Sequence, residues 1–100
     1  MKIYIAGKIT GDDGYRAKFQ EAAKNLEALG HVVLNPAILP AGLAEQDYMQ
    51  ITLAMLNAAD MAVFLPDYQK SAGATIEWAW CKRIGKDCAM YLDMKGGGQR

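Results

Sequence analysis

Glu77 is the one carboxylate in the run Ala72-Gly-Ala-Thr-Ile-Glu-Trp-Ala-Trp-Cys81, which is otherwise apolar apart from Gly73 and Thr75. An acid kept among apolar residues is costly unless it has a partner or a task. In a water-poor pocket an ionised carboxylate can serve as a nucleophile at a sugar carbon. The ordinary alternative is a helix residue on a face that meets water. Ser71 and Gly73, just ahead, suit a second chemistry. Free amides at a helix start, with a glycine allowing close approach, make a site for an anion such as phosphate. Against that, Ser71 or Thr75 reads as a plain cap and Gly73 as a packing residue. Lys8 is either a phosphate contact or a solvated lysine. Tyr4 is either a site residue or a core tyrosine with its hydroxyl satisfied. Asp67 is either a loop residue or an acceptor for a ribose hydroxyl.

These residues need a scaffold that gathers them, and the pattern supplies one. Lys2 to Ala6 reads as a buried strand ended by Gly7. Asp12 and Asp13 are placed to cap a helix running to about Leu29. Its apolar stripe is Phe19, Ala22, Ala23 and Leu26, and Lys18, Glu21, Lys24 and Glu27 face mostly outward. His31 to Leu34 is a second strand, closed by Asn35-Pro36 and followed by a loop to Gly42. A helix over Glu45 to Ala58, a strand over Met61 to Leu65 and a helix over Ala72 to Ile84 follow. A fourth strand, Asp87 to Leu92, precedes a flexible tail, Lys95 to Arg100. Asp60 and His31 begin strands, so they lie at the opposite edge of the sheet from the site.

Strict alternation of strand and helix argues for a flavodoxin-like α/β three-layer sandwich. Its sheet is parallel and four-stranded, in the order 2-1-3-4, and one domain spans residues 1–94. In such a sheet ligands bind where the carboxyl ends of strands 1 and 3 diverge. Gly7 to Gly11, Asn35 to Gly42, Pro66 to Lys70 and Ser71 to Glu77 converge there. Side chains on a helix lean toward its N-terminus, so Glu77 aims at the crevice, and the positive end of the helix favours its ionised form.

The totals narrow the field further. Of 100 residues, 52% are hydrophobic and 22% charged, which describes an ordinary globular domain. Eleven basic and eleven acidic side chains cancel, so the electrostatic footprint of a nucleic-acid binder is missing. Cys81 and Cys88 have neither zinc-site nor disulfide spacing and read as buried thiols in a reducing compartment. Neither a signal peptide nor a membrane span is legible. The expectation is a cytoplasmic protein without metal or cofactor. Trp78 and Trp80 point to different sides of the third helix. That helix is apolar enough to imply a homo-oligomer through it.

The stretches YIAGKITG, residues 4–11, and ADMAVFLPDYQKSAGATIE, residues 59–77, resemble the nucleoside 2-deoxyribosyltransferase superfamily, above all its small phage and bacterial members of unknown function. The shared pattern is an aromatic residue three before a glycine, Ala-Asp opening strand 3, and a polar residue six before a glutamate. Here these are Tyr4 with Gly7, Ala59-Asp60, and Ser71 with Glu77. The resemblance implies that Glu77 matches the nucleophile at the anomeric carbon and Tyr4 a tyrosine that positions it. Ser71 is similar to the serine that holds phosphate in deoxynucleoside 5′-monophosphate N-glycosidases, and Lys8 falls on the same pocket. Gly7, Asn35, Asp67 and Gly73 complete the expected substrate contacts. One departure matters: where the family's enzymes carry an Asp to protonate the leaving base, this chain has Thr52, and a hydroxyl is no general acid at neutral pH. Asp47 lies more than a turn away. The expected function is cleavage or transfer of an N-glycosidic bond in a small-molecule nucleoside or nucleotide. Two alternatives stay open: a nucleotide-binding module without catalysis, and a structural or interaction domain.

Overall fold

The computed structural model describes residues 1–95. Strands β1 (Lys2–Ala6), β2 (Val32–Leu34), β3 (Met61–Phe64) and β4 (Asp87–Met90) alternate with helices α1 (Tyr15–Ala28), α2 (Glu45–Ala58) and α3 (Ala72–Ile84), and α4 (Tyr91–Lys95) closes the described chain. All pairings are parallel and the order is β2-β1-β3-β4, the flavodoxin-like arrangement that the alternation implied. The central strands β1 and β3 are almost wholly buried, while the edge strands β2 and β4 are half-covered.

Successive strand residues face opposite sides of a sheet, and β1 divides its side chains accordingly. Ile3 and Ile5 pack with Phe19, Ala22 and Leu26 of α1. Tyr4 and Ala6 face the other way, into a core with Leu56 of α2 and with Ala74 and Cys81 of α3. A slip of one residue in the register would turn the Tyr4 phenol into the α1 layer. The parity of β1 therefore decides which helices the tyrosine can reach.

Three local expectations are corrected. Asp12 and Asp13 do not cap α1; Gly14 holds that position. Asp12 accepts the Gly14 amide at 3.0 Å and the Lys18 ammonium at 2.6 Å, so its carboxylate is satisfied in a turn before the helix begins. The fourth strand stops at Met90 rather than Leu92. Tyr91 is buried over α1, and its hydroxyl accepts the Asn25 amide at 2.6 Å, which draws the chain off the sheet edge into α4. The loop after β2 opens with a 3-10 turn, Pro36–Ile38, because the Asn35 carboxamide accepts the Ala37 amide at 2.9 Å. Of the expected tail, Lys95 ends α4 and residues 96–100 lie outside the described residues.

Candidate active site

Glu77 lies in the second turn of α3 and is only 4% exposed. The Tyr4 hydroxyl, from the middle of β1, donates to its Oε2 at 2.7 Å. Burial pushes the Glu77 carboxyl above its usual range, and hydrogen bonds from Tyr4 and Thr52 pull the other way. Burial therefore outweighs the helix N-terminus that the sequence reading credited with holding the acid ionised. Tyr4 is held well above the usual phenol value by its own burial and by the neighbouring Glu77 charge. It remains a phenol, and so a donor, throughout the physiological range. The Thr52 hydroxyl makes a 3.5 Å contact to the Met49 carbonyl, long for a firm bond, and lies beside both Tyr4 and Glu77.

In front of this pair opens a chamber of about 280 Å³. Tyr4, Thr52 and Glu77 line it together with Gly7, Ser71 and Gly73. Gly7 ends β1, and a Cβ there would come within 2.8 Å of Leu65 Cδ1, so the glycine lets β1 and β3 stay close beside the chamber. Ser71 caps α3, its Oγ accepting the Ala74 amide at 3.1 Å. That bond uses a lone pair and leaves the hydroxyl proton to donate. The Ala72 and Gly73 amides belong to the first turn, where no intrahelical acceptor reaches them. Hydrogen-bond donors are thus concentrated on the α3 wall.

Three residues expected in the site lie elsewhere. Lys8, Asn35 and Asp67 are not on the chamber wall. The Lys8 amide donates to Asp67 Oδ1 at 3.1 Å, and its carbonyl accepts the Lys18 ammonium at 2.8 Å. Asp67 Oδ2 and Asp12 also take Lys18, which therefore faces this junction rather than solvent as its helical position suggested. Partial burial works against the Lys18 charge, but the hydrogen bonds to Asp12 and Asp67 prevail and raise its pKa. Asn35 is occupied in its turn. In their place the wall carries Lys70 and Glu45, which the sequence reading passed over. Both had a signal. Lys70 directly precedes the Ser71 cap, and Glu45 shares one face of α2 with Met49 and Thr52 at helical spacing.

Other candidates are accounted for structurally. Asp60 Oδ2 accepts the Lys2 amide at 2.8 Å at the far edge of the sheet. Asp47 is turned to the Ala44 amide at 3.2 Å, at the start of α2. The Cys81 thiol is pushed up to about 11, chiefly by burial and then by Cys88 and Glu77, which makes it a poor nucleophile. Cys88 is half-buried rather than buried. Among the described residues, no three His, Cys, Asp or Glu side chains gather as a metal site, and no helix is long and apolar enough to cross a membrane.

The sequence profile of a domain of unknown function, DUF4406, matches residues 1–90. The chain belongs to the DUF4406 family. Comparison with curated proteins returned no match. Among solved structures, this DUF4406 domain is similar to the 2-deoxyribosyltransferase of the psychrotolerant bacterium Bacillus psychrosaccharolyticus. The TM-score is 0.71 at 20% identity, over 90% of this chain and 71% of that one. The DUF4406 domain therefore has the 2-deoxyribosyltransferase fold, as its motifs implied.

Proposed function

We propose that the chamber binds a deoxyribonucleoside or its 5′-monophosphate, and that Glu77 attacks the anomeric carbon to cleave or transfer the N-glycosidic bond. The observation that carries this reading is the buried Tyr4–Glu77 pair at the wall of an open chamber. A carboxylate so placed has little water to compete for it, and one phenol to hold its orientation. On the α3 wall, the Ser71 hydroxyl and the Ala72 and Gly73 amides offer donors to a phosphate, with Lys70 supplying charge. Lys70 thus takes the part that the sequence assigned to Lys8. The 2-deoxyribosyltransferase fold supports a deoxyribosyl group as the sugar. Incubation with the four deoxynucleoside 5′-monophosphates, followed by chromatography for free base, is the direct test. The native protein releases base and Glu77→Gln does not. Equal release from both removes Glu77 from the reaction.

A second reading, a nucleotide-binding module without turnover, is favoured by Thr52, which puts a hydroxyl where the family's enzymes have an acid. Calorimetric binding of a monophosphate with no product after prolonged incubation is its signature. On either reading, a second copy of the chain covers the exposed apolar stripe of α3.

A further inference from the structure

A second cavity, of about 230 Å³, adjoins the chamber and shares Ile9, Thr10, Pro36 and Thr52 with it as a common wall. Its remaining surface is built chiefly from Tyr15, Leu39, Leu43 and Tyr48. This annex is held open by its own bonds. The Tyr48 hydroxyl donates to the Pro40 carbonyl at 2.6 Å and accepts the Leu43 amide at 3.3 Å. The Arg16 guanidinium donates to the carbonyls of Ala37 and Leu39 at 3.0 and 3.3 Å. Helices α1 and α2 thus both pin the loop that forms the outer wall. The two compartments differ in chemistry: the chamber presents Glu45, Lys70, Ser71 and Glu77, whereas the annex presents rings, aliphatic side chains and neutral hydroxyls. Thr52, which lines both, stands where they meet.

We propose that the annex seats the departing heterocycle, and that its lining confines the protein to heterocycles that leave without a proton from a side chain. The inference rests on the N-glycosidic reading above. A flat aromatic ring matches an apolar slot with two tyrosines, while a sugar phosphate matches the polar chamber. The second half follows from the annex inventory. Among its described residues there is no carboxyl, imidazole or ammonium group. The Tyr48 proton is committed to Pro40. Phenols as a class are weak proton donors compared with carboxylic acids, and alcohols are weaker still. Glu45, the other acid of the chamber wall, lies seven residues before Thr52, roughly 10 Å along the helix.

The step is then a displacement without acid assistance. A Glu77 carboxylate oxygen bonds to C1′ as the C1′–N bond breaks. The electron pair stays on the ring nitrogen, and the heterocycle leaves as an anion that takes its proton from water. Water next attacks C1′ of the glycosyl ester, returns the electron pair to the Glu77 carboxylate, and gives its surplus proton to solvent.

The test uses 2′-deoxyuridine 5′-monophosphates with methyl, hydrogen, fluorine or trifluoromethyl at C5 of the base, in order of rising base acidity. We expect kcat/KM to climb by about 10²-fold or more across the series, the range that a missing acid leaves uncovered. Thr52→Asp should accelerate the methyl compound by at least about tenfold and flatten the series. A flat series in the native protein overturns the inference and leaves the N-glycosidic reading standing. No release even from the trifluoromethyl compound overturns both. A second measurement reads the annex without turnover. Leu43→Trp, which fills it, should weaken calorimetric binding of the monophosphates by about tenfold or more, with binding of 2-deoxyribose 5-phosphate unchanged. Equal effects on both ligands, or none on either, place the heterocycle elsewhere.

Discussion

At the scale of single residues, the molecule concentrates its electrostatic tension in one side chain. Glu77 is buried beside a phenol and a threonine hydroxyl, with no cation against it among the described residues, and burial raises its carboxyl from an ordinary value of 4.5. Protons bound in the folded state beyond those bound unfolded make stability fall as pH rises. Below about pH 4.5 both states hold the proton and the acid costs nothing in ionisation; above it the unfolded chain ionises first. The difference in Tm between the native protein and Glu77→Gln, which does not titrate, should therefore be constant at low pH. It should then move in favour of the glutamine variant as pH rises from there through the folded pKa. A gap independent of pH from 4 to 8 would mean that the acid is solvated. The same titration sets the acid limb of any glycosidic activity, because only the anion is a nucleophile. Tyr4→Phe removes a bond that stabilises the anion, so that limb should move to higher pH.

At the scale of elements, α3 does two jobs at its first turn, and they can be separated. Ser71 caps the helix, and its hydroxyl also faces the chamber. Ser71→Ala should cost about 0.5–2 kcal/mol through loss of the cap. Ser71→Asp caps as well as serine and so should hold Tm near the native value. Its charge repels a phosphate, so binding of a deoxynucleoside 5′-monophosphate should weaken while the uncharged nucleoside is spared. Equal weakening of both would leave Ser71 a cap alone. The elements were also what the sequence made most legible. Alternating strands with β-branched or aromatic residues, and helices ended by Gly30 and Gly85, carried the topology. The spacing of Ser71 and Glu77 on one helix, with the parity of Tyr4, carried the heart of the site. What escaped was set by contacts distant in sequence. Lys18 looked solvent-facing on α1, yet Asp67, 49 residues later, turns it to the crevice edge together with Asp12 and the Lys8 carbonyl. Lys8 seemed to point into the chamber because it follows β1, yet its side chain runs beside Gly11 and is not on the chamber wall. Tyr91 carried strand propensity, which its burial against α1 and its bond to Asn25 override.

At the scale of the whole molecule, Lys18 joins the ends of β1 and β3 through the Lys8 carbonyl and Asp67, and this holds the crevice edge from the α1 side. The opposite side is finished differently. Trp78 packs edge-on to Phe64, with ring centroids 5.1 Å apart, so one tryptophan of α3 belongs to the interior. Trp80 turns outward. Ile76, Trp80 and Ile84, four residues apart, form an outer stripe in which they remain 51%, 38% and 43% exposed. Asn57 Oδ1 accepts the Trp80 indole N–H at 2.9 Å, which fixes the ring between α2 and α3 and leaves it little freedom to lose on association. A preordered aromatic in an apolar stripe is what an interface anchor requires. Because α3 also carries Ser71 and Glu77, a copy seated on this stripe would lie on the helix that builds the chamber. Sedimentation equilibrium should give a homodimer for the native protein. Trp80→Glu should give a monomer that keeps its far-ultraviolet circular dichroism, since the ring contributes no buried core contact to the fold. A native protein that stays monomeric at high micromolar concentration would mean that the stripe is simply wet. A dimer that survives Trp80→Glu would move the interface off this helix.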